Sequence, residues 1–243
     1  MPDIATRILQ SLAAVDTERR RREATPALAG QVAALKAYQQ QRFARTHASL
    51  LAHPRHGRAA RFFLEELYGP QDFAQRDAQF SRIVPALVRL FPADTVATVE
   101  SLAAVHALSE RLDTAMAIHL DGAAPARLSY VRAWQATGEA AARARQVELV
   151  MRIGEALDRH TRSFVLRASL KAMRGPARAA GMGALQTFLE AGFDAFGAMG
   201  GAREFLATIE ARETALARHL FDPEAVAAAT GSPAADDVLT QLP

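Results

Sequence analysis

From Thr95 to Leu120 the chain places Val99, Leu102, Val105, Ser109, Leu112, Met116 and Leu120 three or four residues apart. That spacing aligns them along one side of an α-helix more than seven turns long. An apolar stripe of such length must be covered by other secondary structure. The composition points to helices as the cover. Ala makes up about a fifth of the chain and is the best helix former, whereas Val, Ile and Thr are sparse.

The rest of the chain repeats the helical pattern between Gly and Pro breaks. A first helix is expected from about Asp3 to Ala24, with Ile4, Ile8, Leu12 and Val15 on one face. Thr25-Pro26 starts a second that reaches about Leu51, since Pro is favoured at the first helical position. A third covers roughly Gly57 to Tyr68 and stops at Gly69-Pro70, after which Asp72 caps a segment running to Leu90. Beyond Leu120, helices are expected from Pro125 through Trp134, from Gly138 to about Met173, from Ala177 to Met199 and from Ala202 to Leu220. No strand-period segment and no fixed-period repeat competes with this reading.

The expected fold is all-α: a single compact multi-helix bundle of about eight helices with an N-terminal helical hairpin. Residues 1–53 form the hairpin, which is more polar and suits an interface arm. Residues 54–230 form the main bundle, and 231–243 a flexible tail.

Composition excludes several chemistries. The chain has no cysteine, so disulfides, thiolate metal sites and Cys nucleophiles are ruled out. No run of roughly 18 apolar residues is free of charge, so no transmembrane segment is expected. The opening residues lack a basic stretch followed by an apolar run, and a cytoplasmic location is expected. The formal charge is +3, with Lys36 and Lys171 the only lysines. The chain is Arg-rich, and Arg pairs well with carboxylates or phosphates.

Five groups of residues are candidates for chemistry. His106, Glu110 and Asp113 share a helix face and are weak candidates for a metal. No Glu-x-x-His pair accompanies them, so the competing expectation is a half-exposed His106 and a buried Asp113 paired with an Arg from another helix. His47, His53 and His56 cluster around Pro54 at a spacing that matches no ordered structural site. Arg19, Arg20, Arg21 and Arg22 offer four cations to nucleic acid or an anionic membrane, although Asp16, Glu18 and Glu23 flank them. Gly181, Leu185, Phe188, Gly192, Phe196 and Met199 fall on one face of an expected helix and, with Tyr68, are ligand-pocket candidates. Glycines there admit a close neighbour, either a ligand or another helix. Last, Asp72, Arg76 and Asp77, together with Asp113, are candidates for a polar network.

The stretch Phe62-Phe63-Leu64-Glu65-Glu66-Leu67-Tyr68-Gly69-Pro70-Gln71-Asp72-Phe73, with Met173-Arg174-Gly175-Pro176-Ala177 and the run on to Arg212-Glu213, resembles an uncharacterised family of all-helical proteobacterial proteins. The resemblance spans about residues 55 to 222. It implies a bacterial cytoplasmic setting and assigns no catalytic residue and no cofactor.

With no catalytic signature in the sequence, the leading expectation is a protein acting through association, most simply as a homo-oligomer. The alternative is a helical-bundle enzyme or carrier that binds a metal, cofactor or hydrophobic small molecule in its core.

Overall fold

The helix of the long stripe becomes the centre of the molecule. The computed structural model describes residues 2–67, 73–231 and 238–243, with the backbone alone at Leu67. The described residues are all helix and connections. They comprise α1 (Ile4–Glu23), α2 (Pro26–Thr46), α3 (Ala48–Ala52), α4 (Gly57–Phe62), α5 (Ala74–Leu90), α6 (Ala93–Leu120), α7 (Arg127–Thr137), α8 (Ala140–His160), α9 (Phe164–Ala172), α10 (Arg174–Ala179), α11 (Gly183–Met199), α12 (Arg203–Leu220) and α13 (Ala225–Thr230). A π-helical turn, Phe63–Leu67, extends α4, and a 3-10 turn spans Val238–Gln241.

The fold class is as expected, but the helices outnumber the eight expected, for local reasons. The second expected helix ends at Thr46, where His47 leaves the helical region and α3 starts anew. The long helix to Met173 breaks after His160, and Ser163 caps α9 by accepting the Leu166 N–H at 3.3 Å. The helix expected from Ala177 to Met199 is split at Gly181, whose φ of +71° is left-handed. There the Gly181 N–H donates to the Arg178 carbonyl and the Met182 N–H to the Ala177 carbonyl. That pair of bonds is the Schellman stop for α10.

α6 packs against α1, α2, α7 and α8. Two apolar clusters fill the interior. One gathers Ile8, Leu12, Phe62, Phe63, Phe80, Val84, Phe188, Phe196 and Phe205 around the first half of α6. The other gathers Leu28, Val32, Leu35, Tyr130, Trp134, Leu216 and Leu220 around its second half, at Met116 and Leu120. α1 carries Ile8 and Leu12 into the first cluster and packs along α5 and α6, while α2 packs along α6. Leu239 and Leu242, in the segment expected as a tail, are fully buried in the second cluster.

Candidate functional site

The two apolar clusters do not meet cleanly. On α6 the change from Ala103 to Met116 crosses Glu110 and Asp113; on α2 the change from Phe43 to Leu35 crosses Gln39 and Arg42. On α12, Glu213 lies between Ile209 and Leu216. A layer of charged and amide side chains therefore crosses the bundle. Charges at such depth are tolerated when paired and hydrogen-bonded.

The pairing reaches across the fold. Glu110 is held by Arg22 from α1 and Lys36 from α2, each at 2.5 Å. Arg22 also donates to the Thr114 hydroxyl at 3.0 Å and to the Glu110 carbonyl at 2.9 Å. Glu213 accepts from Arg42 at 2.5 Å and from His47 Nε2 at 2.8 Å. Asp77 on α5 accepts from Arg19 at 2.8 Å and from His106 Nε2 at 3.0 Å. Arg143 lies over the Trp134 ring, 4.1 Å from its centroid.

These partners set the proton affinities. Burial works to raise the Glu213 carboxyl, but Arg42 and His47 outweigh it and hold it at about 2. Burial likewise opposes ionisation at Glu110 and Asp77. Lys36 and Arg22 pull the first below its ordinary value; His106, Arg19 and Arg76 pull down the second. Asp113 goes the other way. Burial dominates, and Lys36, Arg143 and a hydrogen bond with Gln39 do not offset it, so its carboxyl is pushed up. Asp113 is buried as expected and Arg143 of α8 acts on it, but Glu110 holds the close ion pairs with Arg22 and Lys36, and Asp113 stays the more weakly compensated acid.

A cavity of about 280 Å³ opens onto this layer. On α6 its lining runs from Thr95 to Asp113, which at about 1.5 Å per residue is roughly 27 Å of helix. The stretch by Val99 and Leu102 is walled by Phe62, Phe80, Leu87, Val150, Met151, Leu185 and Phe188. The other stretch meets Lys36, Arg42, His106, Glu110, Asp113, Trp134, Arg143 and Glu213. Trp134 is 8 % exposed, and its Nε1 is buried with no hydrogen-bond partner among the described residues. Phe63 and Glu66 of the π-helical turn also line the cavity. Beside the apolar stretch, His160 Nε2 lies 3.1 Å from Thr98 Oγ1, and burial lowers the proton affinity of that imidazole.

The pocket candidates separate. Leu185, Phe188 and Gly192 line the cavity. Phe196 and Met199 are buried in the surrounding cluster. Gly181 leaves the set, because it stops α10 and is not on α11 with the others; a Cβ there would have nothing within 4 Å. At Gly192 a Cβ would lie 3.1 Å from Phe62 Cζ, so this glycine admits the ring of a neighbouring helix. Tyr68 and Asp72 lie outside the described residues.

The polar candidates move too. Arg76 sits over the Phe73 and Phe188 rings, at 3.8 and 4.4 Å, and lies 3.9 Å from Asp77. Asp77 also reaches beyond this corner: its partners Arg19 and His106 tie α5 to α1 and α6. No group of three or more His, Asp or Glu side chains able to hold a metal occurs among the described residues. His106 and Glu110 point to separate ion pairs, with Asp77 and with Arg22 and Lys36. His53 and His56 stack at 4.3 Å, while His47 is directed to Glu213. Within the Arg run, Arg19 and Arg22 face the interior; Arg20 pairs with Asp16, and Arg21 is exposed.

Sequence reasoning missed Lys36, Arg42, Arg143 and Glu213 as members of the site. A signal existed for α2. Val32, Leu35, Gln39, Arg42, Phe43 and Thr46 follow one helical face, which places Gln39 and Arg42 on the buried side. Nothing comparable flags Glu213, whose partners lie 166 and 171 residues away.

The model of a family described as a domain of unknown function (DUF8198) matches residues 18–227. It extends further in both directions than the resemblance read from the sequence, and includes the end of α1 and all of α2. No curated protein and no solved structure matches the chain. No helix among the described residues is long and apolar enough to cross a membrane.

Proposed function

We propose, from the premise that this chain belongs to the DUF8198 family of domains of unknown function, that it binds a small amphipathic molecule in the cavity along α6. The observation that carries the reading is the two-sided lining of that cavity. One stretch is apolar, and the other presents fixed charges and the weakly compensated Asp113 beside Trp134, whose indole N–H has no partner among the described residues. Ligand pockets combine mostly apolar walls with a few converging polar groups, at volumes of roughly 300–1,000 Å³. This cavity has that character at the small end of the range. An apolar tail fits beside Val99, Leu102 and Phe188. A polar head fits where it accepts from Trp134 Nε1 and meets Asp113, the acid best suited to exchange a proton with it.

Native mass spectrometry of the purified protein tests the first part: a copurified small molecule appears as added mass that leaves on activation. Titration with a dansylated medium-chain carboxylic acid tests the second. The expected result is saturable binding at one site per chain, lost when Leu102→Trp fills the apolar stretch while the circular dichroism spectrum is retained. No binding of medium-chain acids, alcohols or amines, or unchanged binding by the Trp variant, refutes the reading.

A second reading, association between copies of the chain, is supported by Leu90 and Phe91 at the α5–α6 corner, 69 % and 42 % exposed. Light scattering on the wild type and on Leu90→Ser tests it. A monomer in the wild type refutes it.

A further inference from the structure

We propose that the outer face of α9 docks on an anionic lipid surface. The proposal is independent of the cavity. α9 packs on α10 and α11 and contributes no buried residue of its own. Leu166 and Leu170 are half-buried toward the bundle. At about 100° per residue, Lys171, Phe164, Ala168, Ala172 and Val165 fall within an arc of roughly 120° on the opposite side, and all five are exposed. Phe164 is 82 % exposed and Val165 70 %, the two most exposed large apolar side chains among the described residues. Neither contributes to the apolar clusters that hold the fold together.

The segment that carries this face is charged with one sign. From Arg159 to Leu189 the chain carries Arg159, Arg162, Arg167, Lys171, Arg174 and Arg178 and no acidic residue. Arg162 and Arg174 are paired with Asp158 and Glu190 at the edges, at 2.6 and 2.8 Å. Lys171, inside the arc, is in no hydrogen bond or ion pair among the described residues. An interfacial helix combines cations for lipid headgroups with Phe or Leu side chains that enter the acyl boundary. A nucleic-acid surface would use the cations and leave Phe164 and Val165 in water, since phosphate contacts come from charged and polar groups. The protruding apolar pair therefore favours lipid.

The test is cosedimentation of the full chain with vesicles, of phosphatidylcholine alone or mixed with phosphatidylserine. Binding is expected on the mixed vesicles only and is expected to weaken as salt is raised. Phe164→Ser with Val165→Ser should lower partitioning roughly tenfold or more. Lys171→Glu should lower it by roughly fivefold or more. All these side chains are exposed, so the variants should melt at the wild-type temperature. Three results overturn the proposal: no sedimentation with the mixed vesicles, equal binding to both vesicle types, or variants that bind as the wild type does. Light scattering without vesicles adds a fourth: a wild-type dimer that the Ser variants convert to monomer gives the face to a second copy of the chain.

Discussion

Replacing Glu213 with Gln removes the acid that joins α12 to α2 and to the turn before α3. The Glu213 carboxyl is held at about 2 against an ordinary value of 4.5. At about 1.4 kcal/mol per tenfold change in proton affinity, the native pairing contributes roughly 3 kcal/mol at neutral pH. The direction follows from the depressed proton affinity. The contribution is fully present above about pH 4.5 and is lost as pH falls toward about 2, where the native carboxylate itself takes up a proton. The neutral amide also removes the carboxylate that faces the buried Arg42 guanidinium. Removing one partner of a buried pair costs about 3–5 kcal/mol. Urea unfolding followed by circular dichroism, on wild type and Glu213→Gln in steps from neutral pH downward, measures both effects. The variant should be less stable by roughly 3 kcal/mol at pH 7, and the two curves should converge as pH falls to about 2. A difference under about 1 kcal/mol at neutral pH, or one that stays constant down to about pH 2, would refute the account of the polar layer.

Other perturbations address neighbouring parts of the structure. Asp113→Asn should raise the urea midpoint at neutral pH, because burial raises the proton affinity of Asp113 and so opposes folding once the unfolded carboxyl ionises. That gain should disappear below the unfolded carboxyl range, and a loss of stability at pH 7 would contradict it. Gly192→Val should lower the melting temperature, by about 1–3 kcal/mol in stability, since a Cβ already stands 3.1 Å from the Phe62 ring. Gly181→Ala meets no neighbour, so its cost should be that of the left-handed backbone alone, about 1–2 kcal/mol. A cost for Gly181→Ala as large as that for Gly192→Val would show that Gly181 is packed against something.

Much of the local structure was legible along the chain. Asp3 caps α1 by accepting the Thr6 N–H at 2.7 Å, Pro26 opens α2, and Asp121-Gly122 ends α6 with φ of +47° and +80°. These are events within a few residues, governed by backbone sterics and short-range hydrogen bonds, so sequence order describes them well. The breaks that escaped notice, at His47 and after His160, lie in stretches without a Gly or Pro signal.

The site is another matter. His106, Glu110 and Asp113 share a face of α6, as their spacing requires, yet they do not share a ligand. His106 answers to Asp77, Glu110 to Arg22 and Lys36, and Asp113 to Gln39. Which acid takes which cation depends on distances of a few ångströms between helices far apart in the chain. Coulomb and desolvation energies vary steeply with those distances and with burial. The periodicity of the sequence determined that helices would form and which sides would be apolar. Tertiary packing decided that the Arg run would turn half inward, that Gly192 would admit Phe62, and that a charged layer would divide the core and border a cavity. Helix formation is a short-range equilibrium, whereas the pairing of buried charges exists only once the helices have been brought together.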